Sequence, residues 1–206
     1  MFYWYNKYMN KITLNNEFYN ATENDFPYLV VYGEKSGGSH FSVTLMAELF
    51  SSGSKILFFT AFPMATDNFL GQIGSDNSNV AIVKNMEDLK QYENSQAIIL
   101  DSGNELLFLQ AIKELKDINE RIILVKNIEA FSDELLDSCL NFKNIILSGD
   151  IDTCVSKEKI IKKTFKSVVV FTKPETSLSI DVPELEKWTG YLDGGDKKGI
   201  IKVKVD

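Results

Sequence analysis

Apolar residues in this chain fall into short unbroken runs separated by segments with helical spacing. Tyr28-Leu29-Val30-Val31-Tyr32 and Lys55-Ile56-Leu57-Phe58-Phe59-Thr60 have the length of buried strands. So do Asn79–Val83, Gln96–Leu100, Arg121–Val125, Asn144–Ser148 and Ser167–Phe171. A run apolar at every position is buried on both faces, as strands of a parallel sheet are. Between the runs, Phe41, Leu45, Met46 and Leu49 repeat at helical spacing, and so do Leu106, Leu109, Ile112 and Leu115. Ser132–Leu140 reads as a helix, with Ser132 as its cap and Asp133 and Glu134 in its first turn. Met86–Tyr92 reads as one or two helical turns, and Pro63 with Gly71–Asn79 as a loop or short helix. Strands alternating with helices predict an α/β fold, a three-layer sandwich with a mostly parallel central sheet.

The pattern changes beyond Pro174. Val182–Trp188 reads as a short helix. Gly190-Tyr191-Leu192 and Gly199–Val205 flank the turn signal Asp193-Gly194-Gly195-Asp196, which predicts a C-terminal β-hairpin. Its last strand is expected at a sheet edge, open to strand addition. The chain divides into an aromatic segment (1–27), a core (28–173) and an extension carrying the hairpin (174–206), all in one compact domain. The first segment holds Phe2, Tyr3, Trp4, Tyr5, Tyr8, Phe18 and Tyr19. These rings either pack across the sheet edge or anchor a partner.

At 206 residues the chain is long enough to bury a sizeable core. A net charge of −7 disfavours non-specific nucleic-acid coating, which needs clustered cations. Lys157, Lys159, Lys162 and Lys163 form a local basic run, read as a solvated helix face. Arg121 is the only arginine, which excludes phosphate recognition by several guanidinium groups. Cys139 and Cys154 form no disulfide framework, and with a lone histidine no metal cluster is expected. No apolar run reaches membrane-spanning length, and the N-terminus lacks the features of a signal peptide. A cytoplasmic location is expected.

The candidate chemistry lies in Gly33-Glu34-Lys35-Ser36-Gly37-Gly38-Ser39-His40, between a strand and a helix. Such a loop offers backbone N–H groups to an anion at the helix N-terminus. The phosphate-loop pattern G-x-x-x-x-G-K-[ST] places Gly33 and Gly38 correctly, but then Ser39 and His40 stand at its last two positions. Removing one loop residue makes Ser39 the hydroxyl and puts Gly38 where lysine belongs. Either alignment loses the lysine, leaving Lys35 as a charge inside the loop.

The loop and the order of elements resemble the P-loop NTPases, with a degenerate Walker A motif. The stretch also resembles that of DnaA and Hda, while the residues after Pro174 leave no room for the lid helices of those proteins, which favours a RecA-like core. The resemblance implies a site of Gly33, Lys35, Gly37, Gly38, Ser39, His40, Asp101 and Asn127, with no catalytic residue. It implies weakly held ATP or ADP with Mg²⁺. Asp101 follows Ala97–Leu100 as a Walker B acid would, or else ends a strand before a helix cap. Asn127 stands where a polar sensor ends the next strand. In an alternative register Val125-Lys126-Asn127-Ile128-Glu129 is the Walker B strand, with Lys126 replacing the acid. Three functions follow: a non-catalytic pseudo-ATPase subunit of a related active ATPase; an ATP-binding enzyme using Lys35 with Asp101; and a DnaA- or Hda-like replication regulator. The first implies a protein partner or a homo-oligomer.

Overall fold

A computed structural model describes residues 12–14, 17–19, 26–74, 77–156, 165–172, 181–186, 189–194 and 197–202. The strands are β1 (Ile12–Leu14), β2 (Glu17–Tyr19), β3 (Tyr28–Tyr32), β4 (Ile56–Thr60), β5 (Val80–Ile82), β6 (Ala97–Leu100), β7 (Ile122–Lys126), β8 (Ile145–Asp150), β9 (Ser167–Val170), β10 (Thr189–Gly194) and β11 (Lys197–Lys202). The helices are α1 (Gly38–Ser51), α2 (Pro63–Ile73), α3 (Met86–Gln91), α4 (Glu105–Glu114), α5 (Asp133–Cys139) and α6 (Ile151–Ser156). The strands form one sheet in the order β2-β1-β11-β10-β9-β3-β8-β7-β4-β6-β5. From β9 to β5 every pairing is parallel, and from β9 to β2 every pairing is antiparallel. The expected α/β sandwich and C-terminal hairpin are both present.

Period-two alternation sends the strand residues to two cores. Leu29, Val31, Leu57, Phe59, Ile98, Leu100, Ile123 and Val125 pack with residues of α3, α4, α5 and α6. Tyr28, Val30, Tyr32, Phe58, Ile99, Ile122 and Leu124 pack with α1 and α2. All three layers are thus present, and Lys126, two residues beyond Leu124, falls on the α1 face.

Three local expectations change. The stretch after Pro63 is an 11-residue helix. Pro63 suits its first turn, and Ala65, Phe69 and Ile73 form its buried stripe. Residues 181–186 are irregular, because Pro183 lacks an N–H and biases Val182 away from helix. β11 is an inner strand, paired with β10 on one side and β1 on the other; among the described residues β2 and β5 are the edges. The lysine run 157–163 and Trp188 lie outside the described residues.

At the amino ends of the parallel strands, Arg121 is fully buried. Its Nε donates to Asp117 Oδ1 at 2.8 Å, its Nη1 to the carbonyls of Ile56, Ser95 and Gln96, and its Nη2 to the Glu93 carbonyl at 2.8 Å. Partial burial pushes the Asp117 carboxyl up, but hydrogen bonds from Arg121 and Lys55 outweigh it and hold the group below its ordinary value. The lone arginine is therefore a staple between the β4 and β6 approaches. Arg121→Met should cost about 3–5 kcal/mol, because it strands carbonyls and a carboxylate that were satisfied. Denaturant unfolding checks this; a loss below about 1 kcal/mol would show that water replaces the guanidinium.

Candidate functional site

β3 runs into a tight turn before α1. Ser36 N donates to Gly33 O at 3.3 Å and Gly33 N donates to Ser36 Oγ at 3.2 Å, so the turn closes on itself. Lys35 has φ 56° and Gly37 φ 95°, both left-handed, a conformation that glycine adopts without strain. Gly37 is the N-cap of α1, no side chain caps the helix, and its first turn carries no acid. A helix start of this kind directs backbone N–H groups outward, as anion-binding helix ends do.

The helix therefore begins where the one-residue-shorter alignment puts the lysine. That position is Gly38, and no side chain fits there. A Cβ on Gly38 would lie 2.7 Å from Tyr32 Cβ and 2.8 Å from Phe171 Cδ2. The missing lysine is thus not a simple deletion; β3 and the residue after β9 have filled its space.

Another cation reaches the loop. Lys126, the last residue of β7, donates from Nζ to Ser39 Oγ at 2.6 Å and lies 5.2 Å from the centre of the Tyr32 ring. It is 3% exposed. Among the described residues no carboxylate stands within ion-pair distance of its Nζ. Burial lowers its amine to about 8, with Glu129 pulling the other way. Half-buried His40 is lowered too, by burial and by Lys126.

Behind Lys126 a polar network ties four elements. Asn127, at φ 68°, donates from Nδ2 to Tyr32 Oη and to Glu129 Oε1, both at 3.1 Å. Tyr32 Oη donates to Glu129 Oε1 at 3.1 Å, and Thr60 Oγ1 donates to Asn127 Oδ1 at 3.3 Å. The Asp150 N–H donates to Glu129 Oε2 at 3.3 Å. Burial, and after it Glu129, raises the Tyr32 hydroxyl far above its ordinary value. A Cβ on Gly149 would meet Ile128 Cγ1 at 2.3 Å, so glycine there lets the Glu129 turn lie against β8. Nearby, Ser148 Oγ donates to Ser42 Oγ at 3.0 Å, joining β8 to α1.

Of the residues singled out from sequence, Gly33, Lys35, Gly37, Gly38, Ser39 and His40 form the turn and the start of α1. Asn127 stands behind Lys126. Lys35 is exposed and ion-paired to Glu34 at 3.2 Å. Asp101 is not brought to the loop: β8, β7 and β4 separate its strand β6 from β3, about 19 Å at the usual strand spacing. Nor does Asp101 cap α4; Asn104 Oδ1 accepts from Leu107 N at 3.1 Å. The strand that meets the loop is β7, the alternative register. Tyr32 and Thr60 were not anticipated. The signal for Lys126 was its parity with Ile122 and Leu124, which aims a cation at the helix bearing the loop.

The chain is similar in structure to the genome packaging NTPase B204 from Sulfolobus turreted icosahedral virus 2 in complex with ATP-gammaS, with TM-score 0.61 and 14% identity over 90% of this chain and 100% of that one. It is similar to the cytoplasmic domain of the Thermomonospora curvata Type VII secretion ATPase EccC, with TM-score 0.65 and 11% identity over 96% of this chain and 26% of that one. It also resembles the pCW3 conjugation coupling protein TcpA in its monomer form with ATPgS, with TM-score 0.55 and 14% identity over 95% and 66%. The chain has the fold of the P-loop NTPases. At these identities the likeness is one of fold. No protein-family model matches the sequence, and no curated protein does.

Mg²⁺ with a nucleotide is what this fold implies, and the residues present do not fit it. The loop hydroxyl that would face a metal, Ser39 Oγ, faces an ammonium instead. Among the described residues no group of three or more metal-ligating side chains is assembled. Beside the loop a cavity of about 340 Å³ is lined by Lys35, Ser36, Phe171, Thr172, Glu184, Leu185 and Glu186. Two carboxylates on its wall further disfavour a polyphosphate there.

Lys126 has a testable energetic signature. A lysine whose folded value is depressed to about 8 costs stability at lower pH, where it is buried charged. That cost is relieved as pH rises toward the ordinary 10.5. Lys126→Met should therefore raise stability at pH 7, by at most about 3 kcal/mol. The gain should shrink steadily between pH 8 and 10.5. Thermal unfolding of both proteins across this range checks it; a variant less stable at pH 7 would show that the ammonium is net stabilising.

Proposed function

We propose that this chain is a degenerate P-loop ATPase-like protein, a pseudo-ATPase that serves as a non-catalytic binding, assembly or regulatory subunit of a related active ATPase. The observation that carries the reading is the Lys126 Nζ contact on Ser39 Oγ. Phosphoryl transfer on this fold needs a cation bridging the phosphates, held by a loop hydroxyl and a strand carboxylate. In this chain the hydroxyl is engaged by a lysine and the carboxylate position is that lysine. The filled space at Gly38 removes the other charge that would stabilise the transition state. Lys35 and Asp101 do not form a substitute pair, since Lys35 is in the turn after β3 and Asp101 follows β6, with three strands between β3 and β6.

A protein partner follows from what a retained fold without chemistry can still do. Phe62, Met64 and Leu106 are large apolar side chains left exposed on the segments leaving β4 and β6. Those segments adjoin, since Gly103 N donates to Thr60 O at 3.1 Å. They lie at the carboxyl ends of parallel strands, the same end of the sheet as the loop. Apolar residues grouped at that end of the sheet suit an interface better than solvent.

Steady-state assays with Mg²⁺ and ATP should find no turnover above background. Light scattering should find an oligomer, or co-purification an ATPase complex, which Met64→Glu with Leu106→Glu disperses. Turnover that scales with protein and is lost in Glu129→Gln would refute the non-catalytic reading. A monomer that recovers no ATPase would refute the subunit role.

A further inference from the structure

The exposed Ser39 hydroxyl and the covered Lys126 amine, 2.6 Å apart, have the geometry of a nucleophile and its base. A serine hydroxyl is a weak nucleophile until a base within hydrogen-bond reach takes its proton. A lysine amine takes that role only when uncharged, and burial is what makes it so near neutral pH. Lys126 is covered by β7, by the start of α1 and by the Tyr32 ring, and its amine is brought down to about 8 against the pull of Glu129. The titratable groups that face it are His40 of α1, Tyr32 of β3 and Glu129 after β7. His40 is lowered from 6.5 and Tyr32 is raised far above 10, so neither exchanges a proton near pH 8.

Both partners are held on rigid elements. Gly38 lies so close to Tyr32 and Phe171 that a Cβ would not fit, which pins the start of α1 against β3. The helix closes at once, with Phe41 N donating to Gly37 O at 2.9 Å. Lys126 projects from the last position of β7, whose end is fixed by the hydrogen bonds of Asn127 and Glu129. The nucleophile thus follows a strand and a tight turn and opens a helix, the arrangement that presents a serine in other hydrolytic sites. There the backbone N–H of the next residue stabilises the oxyanion, and here that residue is His40.

We propose that Ser39 and Lys126 form a serine–lysine dyad that hydrolyses small, uncharged carboxylic esters, with Ser39 Oγ as nucleophile and Lys126 Nζ as general base. The activity lies outside phosphoryl transfer, and the pseudo-ATPase reading does not depend on it. Ser39 Oγ bonds to the acyl carbon while its proton passes to Lys126 Nζ. The ester C–O bond then breaks, and the departing alcohol takes that proton. Water attacks the acyl-serine, again giving a proton to Lys126, and the acid leaves as Ser39 Oγ recovers it. The cavity of about 340 Å³ beside the turn, with Phe171 and Leu185 on its wall, has room for a short acyl chain. Glu184 and Glu186 on the same wall disfavour an anionic one.

The test is hydrolysis of p-nitrophenyl acetate by the full chain from about pH 6 to 10, with labelling by a fluorophosphonate probe located by peptide mass spectrometry. The rate should rise with pH through a midpoint near 8, where the amine loses its proton. The probe should label Ser39. Ser39→Ala, a change at an exposed position, should lose both the label and the enzyme-dependent rate. Lys126→Met, with its fold verified by thermal unfolding, should lose about a hundredfold in rate and the midpoint with it. A contact that is merely structural moves neither the midpoint nor the label. Hydrolysis that persists in Ser39→Ala would overturn the proposal, as would a pH profile that Lys126→Met leaves unchanged. Absence of both hydrolysis and label would overturn the dyad and leave the pseudo-ATPase reading standing, since that reading is tested with ATP.

Discussion

A buried ammonium that makes no ion pair among the described residues is the constraint around which the loop region is arranged. Lys126 takes the α1 face because β7 alternates, and Ile122 and Leu124 before it set the parity. Once there, its Nζ must find acceptors at the amino end of α1, and Ser39 Oγ is the one it finds. The space for a side chain at Gly38 is closed by Tyr32 and Phe171. The Asn127, Tyr32 and Glu129 network fixes the strand end from which Lys126 projects. Without it the four-carbon stem could swing the charge into water.

Three buried ionisable groups show three solutions to one problem, and their differences locate the site. Arg121 is charged and its donors are met by carbonyls and Asp117, so it is structural. Glu48 on α1 is pushed up to about 8 by burial, so near neutral pH it is held in its uncharged form. Lys126 is lowered but still largely charged near pH 7, with the Ser39 hydroxyl as its acceptor and the attraction of Glu129 only partly offsetting its burial.

The α/β architecture was legible because the inner parallel strands, buried on both faces, leave unbroken apolar runs that few other structures leave. The glycine turn was legible for a similar reason, since left-handed backbone at Gly37 demands a residue the eye can find. Helix α2 was obscured by Gly71, which breaks the apparent pattern and yet sits where a Cβ would meet nothing within 4 Å. The antiparallel β1–β11 pairing was hidden because it joins opposite ends of the chain. Asp101 was the plausible acid by local pattern alone. Sheet order, which is non-local, puts β7 and not β6 within reach of the loop. The lysine at the end of β7 was visible as a substitution, but its destination depended on that same order.

The most direct measurement is a nitrogen-detected NMR titration of the Lys126 amine, with the Ser39 amide followed in the same samples. The account expects the amine to titrate near pH 8, with the Ser39 amide shifting in step as the Nζ to Oγ contact changes charge. An amine that titrates above about pH 10, as free lysine does, and leaves Ser39 unmoved would place the side chain in water. The loop would then be open, and the central claim would be wrong.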